Sequence, residues 1–186
     1  KKNIALLEDA AESIGSFYKL NGHKKKHTGT VGTIGCLSFN GNKIITSGGG
    51  GMILTNNKKI AKKAKYLTTQ AKDDPIYSIH NEVGYNFRLT NIQAALGFAQ
   101  FETLSKYIKK KKVIHERYKK KINKIEHLSI SNPSHHGTCN HWLNVLEIKK
   151  KLSKKKLSKI IKYFFNNGIE VRPLWYPNHL QKKYKN

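Results

Sequence analysis

The sequence predicts an α/β fold, and three observations carry that prediction. Short apolar runs separated by glycines fill the first part of the chain (Ile4–Leu7, Ile34–Phe39 and Met52–Thr55), the pattern of strands buried in a sheet. A long helical pattern opens at Thr90, where Thr90 and Gln93 have the spacing of a capping box. A strand-like run, an apolar-striped helix and another strand-like run close the chain, which predicts a smaller α+β part after the helix.

Ile4–Leu7 predicts a first strand that ends in Glu8-Asp9-Ala10-Ala11-Glu12. Carboxylates there stand at the carboxyl end of a strand, the usual ligand position in open α/β sheets; an acid that simply caps the next turn fits the same residues. Asn57 to Leu67 predicts a short, lysine-faced helix, and 68–89, with little periodicity, a long surface excursion. From Thr90 the apolar residues Ile92, Leu96, Ala99, Leu104, Ile108 and Val113 keep helical spacing, and the helix is expected to reach about Ile125. After a turn at Asn132-Pro133, Trp142–Ile148 predicts a strand. Ser153 caps a helix with the stripe Leu157, Ile160, Ile161, Phe164 and Phe165, closed by Asn167-Gly168, and Ile169–Val171 restarts a strand.

The chain has 186 residues, 38% of them hydrophobic, enough to bury a core. Its net charge of +25 points at first to a polyanion. Only Arg88, Arg117 and Arg172 among 36 basic residues carry the planar fork suited to phosphate and base edges, so the charge reads as a lysine-rich composition and a solvated surface, not a nucleic-acid site. No apolar run approaches a membrane span and no leader pattern is present, so a cytoplasmic, non-secreted protein with no membrane partner is expected. Cys36 and Cys139 cannot build a disulfide framework.

Lys43 differs from most of the other lysines, which sit in solvated runs. It lies between two apolar strands, five residues after Ser38 and just before the glycine run Gly48–Gly51, where a cofactor can approach the backbone closely. A lysine desolvated in such a place can form a Schiff base with an aldehyde. An ordinary turn lysine beside a flexible loop is the alternative that the local residues leave open.

Five motifs in order, Glu8-Asp9-Ala10-Ala11-Glu12, Gly35-x-x-Ser38-Phe39-x-x-x-Lys43, the glycine run with Met52, Gly84-Tyr85-Asn86-Phe87-Arg88-Leu89-Thr90-Asn91-Ile92-Gln93-Ala94-Ala95, and Gly168-Ile169-Glu170-Val171-Arg172-Pro173-Leu174-Trp175, closely resemble the DegT-type nucleotide-sugar aminotransferases. The resemblance implies the pyridoxal-phosphate transferase fold of type I, present as part of the large-domain sheet (1–118) plus a small carboxyl-terminal α+β domain (119–186). It implies that Lys43 holds the cofactor and moves a proton, that Asp9 pairs with the pyridine nitrogen, and that Glu12 lies beside the ring. Ser38 matches a phosphate-binding hydroxyl, and Asn86 the asparagine that reaches the phosphate of a neighbouring subunit, which implies a homodimer. Tyr176 and His179 fall in a segment that approaches the nucleotide-sugar. The glycine run, where many relatives have Thr-Gly-Glu-Gly-Gly, resembles the branch aminating keto-sugars toward bacillosamine, legionaminic acid or perosamine.

The family's amino-terminal half, with its Gly-Thr-Ser phosphate loop and stacking aromatic, has no counterpart in these residues, so the chain is expected to be a fragment that does not assemble a working site alone. His135, His136, Cys139 and His141 fall within seven residues but lack the second ligand pair of a structural zinc site, and no metal is expected. Gly29, Gly32 and Gly35 do not make a dinucleotide fingerprint. The expected function is amino transfer from an amino acid, L-glutamate, to a nucleotide-linked keto-sugar in surface-polysaccharide or glycan biosynthesis. The rival readings are a catalytically silent cofactor-binding or regulatory homologue and a basic nucleic-acid-binding protein.

Overall fold

A computed structural model describes residues 4–19, 25–132 and 135–184. The chain divides into two compact units, residues 1–147 and 148–186. The boundary expected at 118/119 falls inside a continuous helix.

The first unit is built on a three-stranded sheet, β1 (Leu7–Asp9), β4 (Ile34–Ser38) and β5 (Gly51–Leu54), in the order β1-β4-β5. Strands β1 and β4 are parallel, with Leu7, Glu8 and Asp9 opposite Ile34, Gly35 and Cys36, so both end at one edge of the sheet. Strand β5 returns antiparallel and sets Gly51 opposite Ser38. The first strand begins three residues later than Ile4, because its ladder with β4 starts at Leu7. Two residue pairs between them, β2 (Phe17–Tyr18) and β3 (Lys26–His27), join a third, β9 (Gly137–Thr138), in a small antiparallel sheet of order β3-β2-β9.

Helix α1 (Lys58–Thr68) starts at Asn57, whose side chain accepts from the amides of Lys59 and Ile60. The 68–89 excursion is not featureless. It contains the hairpin β6 (Lys72–Asp74) with β7 (Ile79–His80), tied to α1 by the Tyr66 hydroxyl donating to Asp73 at 2.9 Å. The long helix is two helices: α2 (Asn91–Glu102), with the Thr90–Gln93 capping box formed, and α3 (Leu104–Ile122), interrupted at Thr103. Behind the sheet edge, Ile14, Phe39 and Ile45 form a buried cluster with Leu37, Ile44 and Leu104 packed on it. Strand β8 (Leu128–Ile130) pairs with β10 (Leu146–Ile148), which forms only the end of the run expected as a strand from Trp142. Of the turn expected at Asn132-Pro133, Pro133 lies outside the described residues.

In the second unit α4 (Lys154–Asn166) is capped by the Ser153 side chain and ends as expected: Gly168 adopts φ +74° and the amide of Ile169 donates to Phe164 O at 3.0 Å. Ile169–Val171 forms no strand. It pairs with no strand among the described residues, and an extended segment without a partner has no ladder. Arg172 pairs there with Glu170, Nε to Oε1 2.9 Å, both exposed.

Candidate active site

Parallel β1 and β4 deliver Asp9 and Ser38 to the same sheet edge. Consecutive strand residues leave opposite faces, so Glu8 and Asp9 part company. Glu8 Oε2 accepts from the amide of Gly29 at 2.8 Å, and Oε1 accepts from Val31 at 2.7 Å and from Gly32. Burial pushes the Glu8 carboxyl up, but the three amides and the nearby His27 outweigh it and leave it below its ordinary value of 4.5. Glu8 is therefore the cradle of the 29–32 loop. Asp9 is the exposed acid of the pair; its Oδ1 accepts from the amide of Ala11 at 3.1 Å and shapes the turn that carries Glu12.

Beyond Ser38 the chain turns through Asn40–Asn42, with the amide of Asn40 donating to Ser38 Oγ at 3.3 Å and that of Lys43 to Asn40 O at 3.1 Å. Helix α2 braces the return: Gln100 Oε1 accepts from the amide of Thr46 at 2.9 Å, and buried Ser47 lies against Gly97. Gly48 and Gly50 adopt φ +80°, a conformation glycine takes without steric penalty, so the loop can reverse and enter β5.

The Lys43 side chain is only 12% exposed. Its Nζ lies 3.2 Å from Glu12 Oε1 and 4.5 Å from the centroid of the Trp142 ring. The indole nitrogen of Trp142 donates to Asn42 O at 2.7 Å. Asn140, 2% exposed, holds these pieces together: its Nδ2 donates to Glu12 O at 2.9 Å and Ile14 O at 3.0 Å, its amide donates to Ser16 Oγ, and its Oδ1 accepts from the amide of Trp142.

Of the residues expected at the site, the structure thus joins Lys43 to Glu12 and sets Asp9 and Ser38 on the adjoining strand ends. Asn86 is placed by another device, its backbone bridging to Thr69, and is exposed; no described hydrogen bond or ion pair joins it to the other four. Tyr176 and His179 belong to the second unit, where Tyr176 O accepts from Gln181 Nε2 and His179 sits in one 3₁₀ turn. Trp142 and Asn140 were not legible as site residues, because their partners stand about a hundred positions earlier; the only local signal was an aromatic opening an apolar run.

His135 and His136 face each other at 3.9 Å, while His141, at φ +52°, turns its ring to His115 at 4.1 Å. The two latter rings help line a cleft of about 700 Å³ whose walls include Lys112 and Glu116 but none of Lys43, Glu12, Asp9 or Ser38. Burial and then the neighbouring His115 hold His141 below the usual histidine range, with Lys112 adding to the effect and Glu116 opposing it.

The donor set fits an aldehyde-bearing pyridine phosphate. A largely enclosed primary amine, a carboxylate at the strand end and a hydroxyl at the next strand end are the groups needed for its aldehyde, ring nitrogen and phosphate.

Comparison with known proteins gives the family. The DegT/DnrJ/EryC1/StrS aminotransferase family matches residues 1–186. EpsN of Bacillus subtilis is 39% identical over 178 residues, covering 96% of this chain and 44% of that protein. The GDP-perosamine synthase of Escherichia coli O157:H7 is 34% identical over 183 residues, covering 98% and 48%. The crystal structure of the aminotransferase TlmJ from Streptoalloteichus hindustanus superposes with a TM-score of 0.86 at 21% identity, over 98% of this chain and 48% of that one. The chain shares the α/β fold of the aminotransferase TlmJ, and it spans about half the length of the relatives it matches.

Proposed function

The chain belongs to the DegT/DnrJ/EryC1/StrS aminotransferase family, and from that premise we propose that the protein moves an amino group from L-glutamate to a nucleotide-linked keto-sugar, using pyridoxal phosphate. One observation carries the reading: an enclosed lysine, Lys43, held between Glu12 and an aromatic ring at the sheet edge where Asp9 and Ser38 also end. When bound, the cofactor supplies an electron sink for the pair left behind as the donor carbon loses its proton. Lys43 Nζ anchors the cofactor aldehyde and afterwards carries that proton, and the Glu12 carboxylate orients the amine between the two tasks. Asp9 keeps the ring nitrogen protonated, because an anion beside it favours the cation. The Ser38 hydroxyl donates to the phosphate. On this reading the later part of the cofactor-binding domain, 1–118, passes into part of the small domain, 119–186, within helix α3.

Asn86, exposed and away from the lysine's own contacts, is suited to reach a neighbouring subunit's phosphate, which makes the working form a homodimer. Tyr176 and His179 are assigned to the sugar-nucleotide. The perosamine synthase among the relatives supports a nucleotide-linked sugar as acceptor. No described helix is long and apolar enough to cross a membrane, which accords with the cytoplasmic location proposed.

In the full-length protein Lys43→Ala removes the borohydride-fixed pyridoxyl label from the peptide carrying residue 43 and lowers amino exchange by about 10²–10⁴-fold. Label and exchange at wild-type levels would overturn the assignment. Label on wild-type Lys43 with no exchange from glutamate would instead establish a silent homologue.

A further inference from the structure

We propose that Trp142 is a positioning residue for Lys43, gripping the amine with its ring face and the backbone before it with its indole N–H; the proposal rests on the role given to Lys43 above. A lysine side chain has four rotatable carbons, and one contact at Nζ leaves its stem free to choose among many rotamers. Trp142 constrains it at both ends. The ring stands 4.5 Å from Nζ, within the range of a cation–π contact, and the ring nitrogen donates at 2.7 Å to Asn42 O, whose carbon forms the peptide bond to Lys43. The N–H bond sets the ring against the lysine's own backbone, so the face cannot turn away without breaking it.

The ring is itself anchored. Asn140 accepts from the amide of Trp142 at 3.0 Å and donates to Glu12 O at 2.9 Å. One buried amide side chain thus fixes the backbone of both residues that touch Nζ, Glu12 on one side and Trp142 on the other. Between them His141 takes the left-handed turn that swings residue 142 toward the lysine loop.

The experiment compares full-length wild type with Trp142→Leu and Trp142→Phe. Loss of the ring by Trp142→Leu lowers kcat about tenfold. The KM for glutamate stays within about threefold, and the primary isotope effect with α-deuterated glutamate rises, because the step slowed is the proton transfer. Trp142→Phe keeps a ring face but loses the N–H bond to Asn42 O, so its kcat falls between those of wild type and Trp142→Leu. A second readout needs no turnover: a pyridoxyl group fixed on Lys43 by borohydride quenches a component of tryptophan emission in wild type that is absent from Trp142→Phe, whose remaining tryptophans are the same. Wild-type kcat and isotope effect in Trp142→Leu would overturn the proposal, as would equal quenching in wild type and Trp142→Phe. If Trp142→Leu does not fold, the quenching comparison decides. Label missing from wild-type Lys43 would remove the underlying reading as well, whereas label without Trp142 quenching would remove this inference alone.

Discussion

In an extended strand neighbouring side chains leave opposite faces, and this separates Glu8 from Asp9 although both are acids at one strand end. Glu8 faces the 29–32 loop and accepts three amides; Asp9 stays exposed beside Ser38's strand end. The spacing Gly29, Gly32, Gly35 follows from the same packing. A Cβ on Gly35 would overlap Gly29 O, and one on Gly32 would lie 2.6 Å from Leu6 O, so the loop can lie on the strand only without side chains. Glu8→Gln keeps the shape but loses the charge, and is expected to cost about 1–3 kcal/mol in urea unfolding at pH 7. The folded-state carboxyl titrates below the unfolded one, so its contribution is present above pH 4.5 and is lost as pH falls through the folded value. The gap between wild type and variant should therefore close as the medium is acidified below pH 4.5; a gap that persists there would show that the loop is held by shape and not by the carboxylate.

Helices whose caps lie next to them in sequence were legible as elements. Asn57, the Thr90–Gln93 box, Ser153 and Gly168 each act within a few residues, and each does so in the structure. The interruption at Thr103 was hidden because the apolar spacing runs on across it. Strands β2, β3 and β9 are two residues long, and β9 exists only because Thr138 meets Phe17, a pairing no local pattern announces. The same limit applied to the site: Asp9, Glu12, Ser38 and Lys43 sit in short motifs, while Asn140 and Trp142 act across more than a hundred residues or about that many. Where α3 meets the 139–142 segment, the structure gives a consequence for pH. His141 is buried against His115, with Lys112 and Glu116 the other charged groups acting on it. Its folded-state value is lowered, so the unfolded chain binds the extra proton first and stability falls as pH drops below 6.5. His141→Asn suits the left-handed backbone and does not titrate there, and is expected to flatten the stability loss between about pH 6.5 and 5 in urea unfolding. An unchanged slope would place the acid sensitivity elsewhere.

At the scale of the molecule, charge and apolar surface pull in opposite directions. The net charge of +25 repels copies of the chain from one another. Yet the central sheet keeps apolar residues in contact with solvent, Leu7 at 66% and Met52 at 50% exposure among them. Parallel pairing such as that of β1 with β4 is found mostly in sheets covered on both faces. The relatives this chain matches are about twice its length, so their fold has the material for such a cover. Residues 1–186 produced alone are therefore expected to bind a neutral hydrophobic dye such as Nile red and to self-associate as salt screens the lysines. A neutral dye is needed because an anionic one would bind the positive surface whatever the state of the sheet. Replacing Leu7 and Met52 together by Lys should reduce both dye binding and the salt-driven association, measured by fluorescence and by light scattering. Full dye binding by the double variant would show that the exposed sheet is not the surface responsible, and attention would move to the apolar residues of the 76–98 segment and α4, such as Ile76, Phe98 and Phe165.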